Sequence, residues 1–285
     1  MEKGYYLALP LILLAACSAR LEAATLKVSP GAFIVHNVVP GQKYDVYEKT
    51  GLQLAVYNDS PDAQTYRVSA HRPAKGSTLK KGYLEIPDAK WCWFDQEEIK
   101  VEANSQAYVR FHLKIPDEQR YYNQRWVVAL NVSCNPRSGG LSAMGVAIDV
   151  RAQIETQAKS DMKGVNPDGP IGVVPAVITL KATEKGEVDV FNNSAADETY
   201  KIYLLADKAD FQAYTSAGLT PLPDPDWIKL GARKLKIPAG GRKTLSLKSM
   251  LPEKEADSTK QYEAVIFIEG QSASGFVRVR FAAAG

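Results

Sequence analysis

Val56-Tyr-Asn58-Asp-Ser60, followed by Thr65-Tyr66-Arg-Val68, recurs as Val190-Phe-Asn192-Asn-Ser194, followed by Thr199-Tyr200-Lys-Ile202. The spacing is a constant 134 residues, from 56 to 190 and from 66 to 200, and the same step carries Trp93 onto Trp227. A two-residue slip then aligns Ile99-Lys-Val101-Glu-Ala103 with Leu235-Lys-Ile237-Pro-Ala239, and Trp126 with Tyr262. A fixed long period is the signature of a duplicated structural unit. Two copies of one domain therefore fill the chain. The alignment places Trp93 and Trp227 at equivalent buried positions.

Each copy reads as strands. Trp126, Val128, Leu130 and Val132 alternate with Val127, Ala129 and Asn131, the two-residue period of an extended chain. Val146-Ala-Ile148-Asp-Val150 follows the loop Asn135–Gly140 and completes a hairpin. Sustained helical spacing with caps is not found after the leader. About seven short strands per copy point to an all-β chain of two tandem Ig-like antiparallel β-sandwiches. The divisions expected are a signal peptide at 1–16, a short tether at 17–24, the first domain at 25–155, a linker at 156–175 and the second domain at 176–285. The linker is marked by Asn166-Pro-Asp-Gly-Pro170.

The chain of 285 residues is 45% hydrophobic and 24% charged, with a net charge of +3. Those values suit a globular protein and give too little excess charge for a nucleic-acid grip. The apolar run Leu7–Ala16 would rise about 15 Å as a helix, half a bilayer core, which suits a secretory signal. Leu14-Ala-Ala-Cys17 resembles the bacterial lipobox, and that resemblance makes Cys17 the lipidated N-terminus. The alternative is ordinary secretion, with a cut after Ala19 or Ala24.

Pro40-Gly41-Gln, the strand ending at Asn58, the tryptophan and the strand–Ala-x-x–strand–Pro unit resemble bacterial extracytoplasmic Ig-like domains. Such domains occur in surface proteins that include the peptidoglycan-binding WxL-interacting proteins. The chain departs from that family after Phe281, where its C-terminal transmembrane helix is not read, so peptidoglycan binding is not carried over. A weaker likeness is to periplasmic pilus chaperones, which also have two Ig-like domains. Their paired basic anchors and long alternating apolar strand are not recognisable here.

Catalytic groupings are lacking. His36, His71 and His112 fall on separate segments without metal or acid–base spacing, and Gly270-Gln-Ser272-Ala-Ser274 misses the nucleophile-elbow pattern. Asp224-Pro-Asp226 offers too few oxygen ligands for calcium. No cofactor motif is read. Asn58, Asn131 and Asn192 match the glycosylation tripeptide, but an asparagine at a strand end also closes turns on its own backbone.

Two stretches could bind a partner. The loop His71–Lys81 carries Arg72, Lys75, Lys80 and Lys81 with no acid, which suits an anionic cell-wall polymer or lipid headgroups, or simply a solvated loop. Tyr121 and Tyr122 could stack a sugar, or one could anchor a strand through its hydroxyl. Open sheet edges could accept a partner strand. Cys92 and Cys134 are expected to form a disulfide in an oxidising compartment.

The reading is an exported, lipid-anchored, non-catalytic binding or scaffolding protein of the cell envelope, at the periplasm or cell surface. Its partners would be the membrane, through the lipid, and an envelope protein or wall polymer. The alternatives are a pilus-type chaperone working by edge-strand donation and, further off, a secreted hydrolase. Cys17→Ser is expected to leave the protein soluble or its precursor uncleaved, since firm anchoring needs more than one acyl chain. Unchanged cleavage and equal detergent partitioning of variant and wild type would remove the lipid anchor.

Overall fold

The computed structural model describes residues 26–134, 145–162, 165–205, 211, 213–216, 218–256 and 261–281. The leader and Cys17 lie outside the described residues. The first domain runs through β1 (Leu26–Ser29), β2 (Ala32–Val38), β3 (Lys43–Asp45), helix α1 (Val46–Thr50), β4 (Leu54–Asn58), β5 (Gln64–His71) and β6 (Leu84–Glu85). It continues through β7 (Cys92–Phe94), β8 (Glu98–Val101), β9 (Ser105–Val109), β10 (Phe111–Lys114), β11 (Arg125–Cys134) and β12 (Val146–Thr156). The second comprises β13 (Ile171–Val174), β14 (Val177–Leu180), β15 (Lys185–Asn192), β16 (Glu198–Leu204) and β17 (Thr220–Pro221). It ends with β18 (Ile228–Leu230), β19 (Lys234–Ile237), β20 (Arg242–Ser249), β21 (Tyr262–Glu269) and β22 (Ser274–Phe281).

These strands form two tandem Ig-like β-sandwiches. One sheet of the first domain is ordered β2-β12-β11-β5-β8, facing β1-β4-β9 and β3-β10-β7. The second repeats the plan as β14-β22-β21-β16-β19 facing β13-β15-β20-β18. Period-two burial creates the cores: Tyr66 and Val68 of β5 are buried while Thr65, Arg67 and Ser69 are exposed.

The first strand of each copy changes sheet at a proline. β1 pairs antiparallel with β4, the chain turns at the cis Ser29–Pro30 bond, and β2 pairs parallel with β12. β13, the cis Val174–Pro175 bond and β14 do the same with β15 and β22. The sandwiches are therefore not purely antiparallel. A proline has no N–H to continue a ladder, so the switch falls where pairing must end.

The repeated asparagines are clamps. Asn58 is fully buried, and its Nδ2 donates to the carbonyls of Asp62, Val101 and Glu102 at 2.8, 3.1 and 3.0 Å. Its Oδ1 accepts from Ser60 N and Oγ at 3.1 and 2.6 Å. Asn192, also fully buried, repeats this with Ala196, Ile237 and Pro238 at 2.8, 3.1 and 3.2 Å, and with Ser194. One amide thus ties the turn after a strand to the β8–β9 turn, or to its counterpart after β19. Those contacts leave neither amide accessible to a glycan.

The tryptophan alignment needs correction. Asp88 caps the single-turn helix Ala89–Trp91 by accepting from Lys90 N at 2.9 Å, and Asp224 caps Pro225–Trp227 by accepting from Asp226 N at 2.9 Å. Trp91 packs 5.7 Å from Trp126, and Trp227 packs 5.8 Å from Tyr262. Trp227 is therefore matched by Trp91, and the two-residue slip precedes the tryptophans. Trp93 is half-buried and points out of the sandwich, stacked on His112.

The expected disulfide is absent. Cys92 lies on β7, and Cys134 lies on β11 in the opposing sheet, its Sγ 3.8 Å from Gln64 Oε1. Both are buried and not joined to each other. The counterpart of Cys92 is the buried Ile228, so the position calls for a small apolar group. Burial pushes the Cys92 thiol pKa well up, which keeps it protonated.

Every residue of β11 from Arg125 to Leu130 is buried, against the alternation expected of a half-solvated strand. The second domain supplies the cover: Val127 shares a cluster with Tyr83, Tyr214, Val265, Phe267 and Phe276. At its centre Arg278 clasps Glu155, with Nη2 at 2.7 Å from Oε1 and Nη1 on Oε2. Tyr83 Oη donates to the same carboxylate, and His36 Nδ1 lies 2.9 Å from it. Arg125 donates across the boundary to the carbonyls of Phe276 and Ala176, both at 2.8 Å. Burial lowers the Arg125 pKa to about 10, which still leaves it charged at neutral pH. Burial alone would raise the Glu155 pKa, but Arg278, the His36 hydrogen bond and Arg125 hold it well below the ordinary glutamate value.

Two outcomes follow for stability. Asn58→Ala and Asn192→Ala should each cost about 2–4 kcal/mol in urea unfolding, since each orphans several buried backbone acceptors; a loss below about 1 kcal/mol would contradict the clamp. Glu155 has a folded pKa below its unfolded one, so its contribution is present above about pH 4.3 and fades as pH falls through the folded value. Glu155→Gln should therefore cost roughly 3 kcal/mol at pH 7 by stranding buried guanidinium charge. The variant should also lose less stability than wild type between pH 7 and pH 3; equal losses would assign the acid response elsewhere.

Candidate functional site

The basic loop is divided by its neighbours. Lys80 Nζ donates to Gln153 Oε1 at 3.1 Å and to the carbonyl of Ala213, and burial lowers its pKa to about 8. Lys81 Nζ meets Glu269 Oε1 at 2.6 Å and Tyr203 Oη at 2.7 Å. Both amines thus dock the first domain on the second instead of facing an anionic partner. Arg72 pairs with Glu85 at 2.8 Å on the surface, and Lys75 is exposed beside Gly76, whose φ of +84° turns the loop.

The tyrosines are buried as well. Tyr121 packs between Trp91 and Trp126, with centroids at 4.9 and 5.8 Å, and its hydroxyl accepts from Arg120 Nη2 rather than returning to backbone. Tyr122 joins Met162, Val174 and Phe191, with the Lys159 ammonium 3.8 Å above its ring. Neither ring offers a free face to a sugar. The histidines stay apart: His36 faces Glu155, His71 lies 3.2 Å from Asp149, and His112 stacks on Trp93. Among the described residues no group of three His, Cys, Asp or Glu is placed to hold a metal.

What the structure adds is an open edge. β12 pairs with β11 from Val146 to Glu155, but β2 joins its other side only from Arg151 onward. Among the described residues, nothing pairs with Val146–Val150 on the side away from β11. Arg151 N donates to Gly31 O at 3.3 Å, so its backbone faces β2. The two-residue period then aims the N–H and C=O of Asp149 and Ala147 out of the same open side.

Side chains make this edge selective. Val146 and Ile148 are half-buried and Val150 is buried, alternating with exposed Ala147, Asp149 and Arg151. Leu26 and Val28 of β1 are likewise half-buried and belong to the first core's margin. The two sheets therefore stay incompletely closed here. An added strand could extend the sheet by hydrogen bonds and place alternate apolar side chains over Ile148 and Val28. On the outer face, Asp149 Oδ1 accepts from Asn131 Nδ2 at 2.9 Å and faces His71.

The alternation of Val146, Ile148 and Val150 was readable in the sequence as a hairpin strand. Its exposure was not, because that depends on where β2 leaves the sheet. The early sheet switch at Pro30 is the missing signal.

No protein-family model matches the chain, and no curated protein matches it. A protein of unknown function from Porphyromonas gingivalis W83 is similar at 12% identity and TM-score 0.34, covering 90% of this chain and 99% of its own. The Salmonella enterica SafA pilin in complex with the SafB chaperone is similar at 12% identity and TM-score 0.33, covering 92% and 97%. The periplasmic chaperone SfaE is similar at 10% identity and TM-score 0.32, covering 90% and 100%. Similarities of this strength assign no function, and the site rests on the chain's own geometry.

Proposed function

We propose that the protein is an exported, non-catalytic binding protein of the cell envelope that holds an extended segment of another envelope protein on the open edge of β12. It would act as an assembly factor or chaperone, the edge-strand alternative among the expectations from sequence. The carrying observation is the stretch Val146–Val150, which among the described residues has no partner on the side away from β11, is apolar on its inner face and lies beside the half-covered Leu26 and Val28. Export rests on the apolar run Leu7–Ala16, and membrane attachment on Cys17. A polypeptide suits the edge better than a polysaccharide, because a strand supplies N–H and C=O groups at the ladder's own spacing.

Proline provides a specific test. At 147 or 149 it removes an N–H that faces the open side and spares the ladder with β11, whereas at 148 it would break that ladder. A photo-crosslinker at Ala147 in the native envelope should capture one extended, alternately apolar segment of one partner, identified by mass spectrometry of the linked peptide. Asp149→Pro in the same chain should abolish the link while leaving the thermal midpoint within a few degrees. A link that persists in Asp149→Pro, or one that maps to scattered segments of many proteins, would overturn strand addition.

A further inference from the structure

The second copy shows what its own version of this edge receives. In β22, Arg278 N donates to Ala176 O at 3.1 Å, as Arg151 N of β12 does to Gly31 O at 3.3 Å. Each acceptor is the residue just after the switch proline, in Pro30-Gly31 and Pro175-Ala176. The pairing register agrees, for Val277 lies opposite Ile266 as Val150 lies opposite Leu130. Phe276 thus corresponds to Asp149, and Ala176 to Gly31.

In the second copy those two carbonyls do not face solvent. Arg125, from the first domain, places Nη1 at 2.8 Å from Phe276 O and Nη2 at 2.8 Å from Ala176 O. Its guanidinium also covers the Phe276 ring at 3.8 Å. A planar fork with two parallel donors suits a pair of carbonyls held a strand's width apart. The notch where the first strand leaves the edge is thus an arginine site in the second domain, filled from within the molecule.

The first domain keeps the notch, and among the described residues no such side chain enters it. Gly31 O accepts from Arg151 N and retains a second lone pair, and among the described residues no donor is recorded on Asp149 O. The position filled by Phe276 is here an aspartate, its side chain 42% exposed, with Asn131 and His71 both on Oδ1. Both partners stand on the β11 and β5 side, so the carboxylate leans over the sheet and the notch itself is made of backbone carbonyls.

We infer that the notch formed by Gly31 O and Asp149 O is a guanidinium site that takes an arginine of the bound segment and fixes its register on β12. This rests on the strand-addition reading and adds to it which side chain the partner presents. Arginine would span both carbonyls as Arg125 does in the second copy, whereas lysine could satisfy only one of them as a point donor. The inner face would still select apolar residues at alternate positions.

The test uses acetylated, amidated heptapeptides of alternating serine and valine, in which each serine in turn is replaced by arginine, lysine, citrulline or norleucine. Millimolar titrations of the isotope-labelled mature chain would be followed through the amide signals of Gly31, Ala32 and Ala147–Arg151. One arginine register should bind about tenfold more tightly than its norleucine counterpart, with lysine between them. The amides of Ser274–Arg278 should not respond, because Arg125 already fills their notch. Equal binding of arginine and norleucine peptides at the edge would overturn the guanidinium site and leave strand addition standing. No response at Ala147–Arg151 to any peptide would overturn both.

Discussion

One carboxylate, Glu155, governs how the two sandwiches meet. It sits near the end of β12, buried, and receives Arg278 from the second domain together with Tyr83 and His36 from the first. A buried charge is tolerated only when its partners are fixed, so both domains must be in place for it to remain ionised. The apolar ring of Tyr83, Val127, Tyr214, Phe267 and Phe276 excludes water around that pair. Glycine is required on the rim at Gly82, whose φ is +81° and where a Cβ would lie 2.5 Å from the Phe276 ring. Charge, packing and backbone shape converge on a single domain arrangement. That arrangement covers the β22 edge and, among the described residues, leaves the β12 edge open at Val146–Val150.

The duplication was legible because the Asn clamp needs both its asparagine and its serine at fixed separation from the strand. A drift there would orphan three carbonyls, so Asn58 and Asn192 stand out in the sequence. The tryptophans mislead for the opposite reason. Trp93 and Trp227 share an attractive spacing, yet the feature under structural constraint is the capping aspartate, Asp88 or Asp224, three residues before the tryptophan that packs on β11 or β21. The length between the clamp and the cap is free to vary by two residues.

The basic loop could not be read from its own residues. Lys80 and Lys81 have the composition of a solvated anionic-ligand loop, and their acceptors, Gln153, Glu269, Tyr203 and Ala213, lie far along the chain. Tyr121 and Tyr122 hide their role in the same way, since contacts with Trp91 and Phe191 are tertiary. The β12 edge is another case. Its alternation is local, but its availability is set by a strand whose departure is fixed more than a hundred residues earlier at Pro30. Sequence patterns report what a segment can pair with, and topology decides whether that partner is present.

Asn123 carries a last consequence. Its φ of +60° turns the chain ahead of β11, and its side-chain amide reaches both ends of the connection between domains. Nδ2 donates to Lys159 O at 3.1 Å, while Oδ1 accepts from Lys159 N at 3.1 Å and from Ala176 N at 2.8 Å. Both ends of the connection are thus held at one point, while β13 within it pairs with β15 in the second sandwich. The connection's contour length does not set the distance between the sandwiches. Lengthening the stretch ahead of β13 would leave the two halves joined through Asn123 and the Glu155 cluster, so the domains are held by contact and not by the span of the covalent connection.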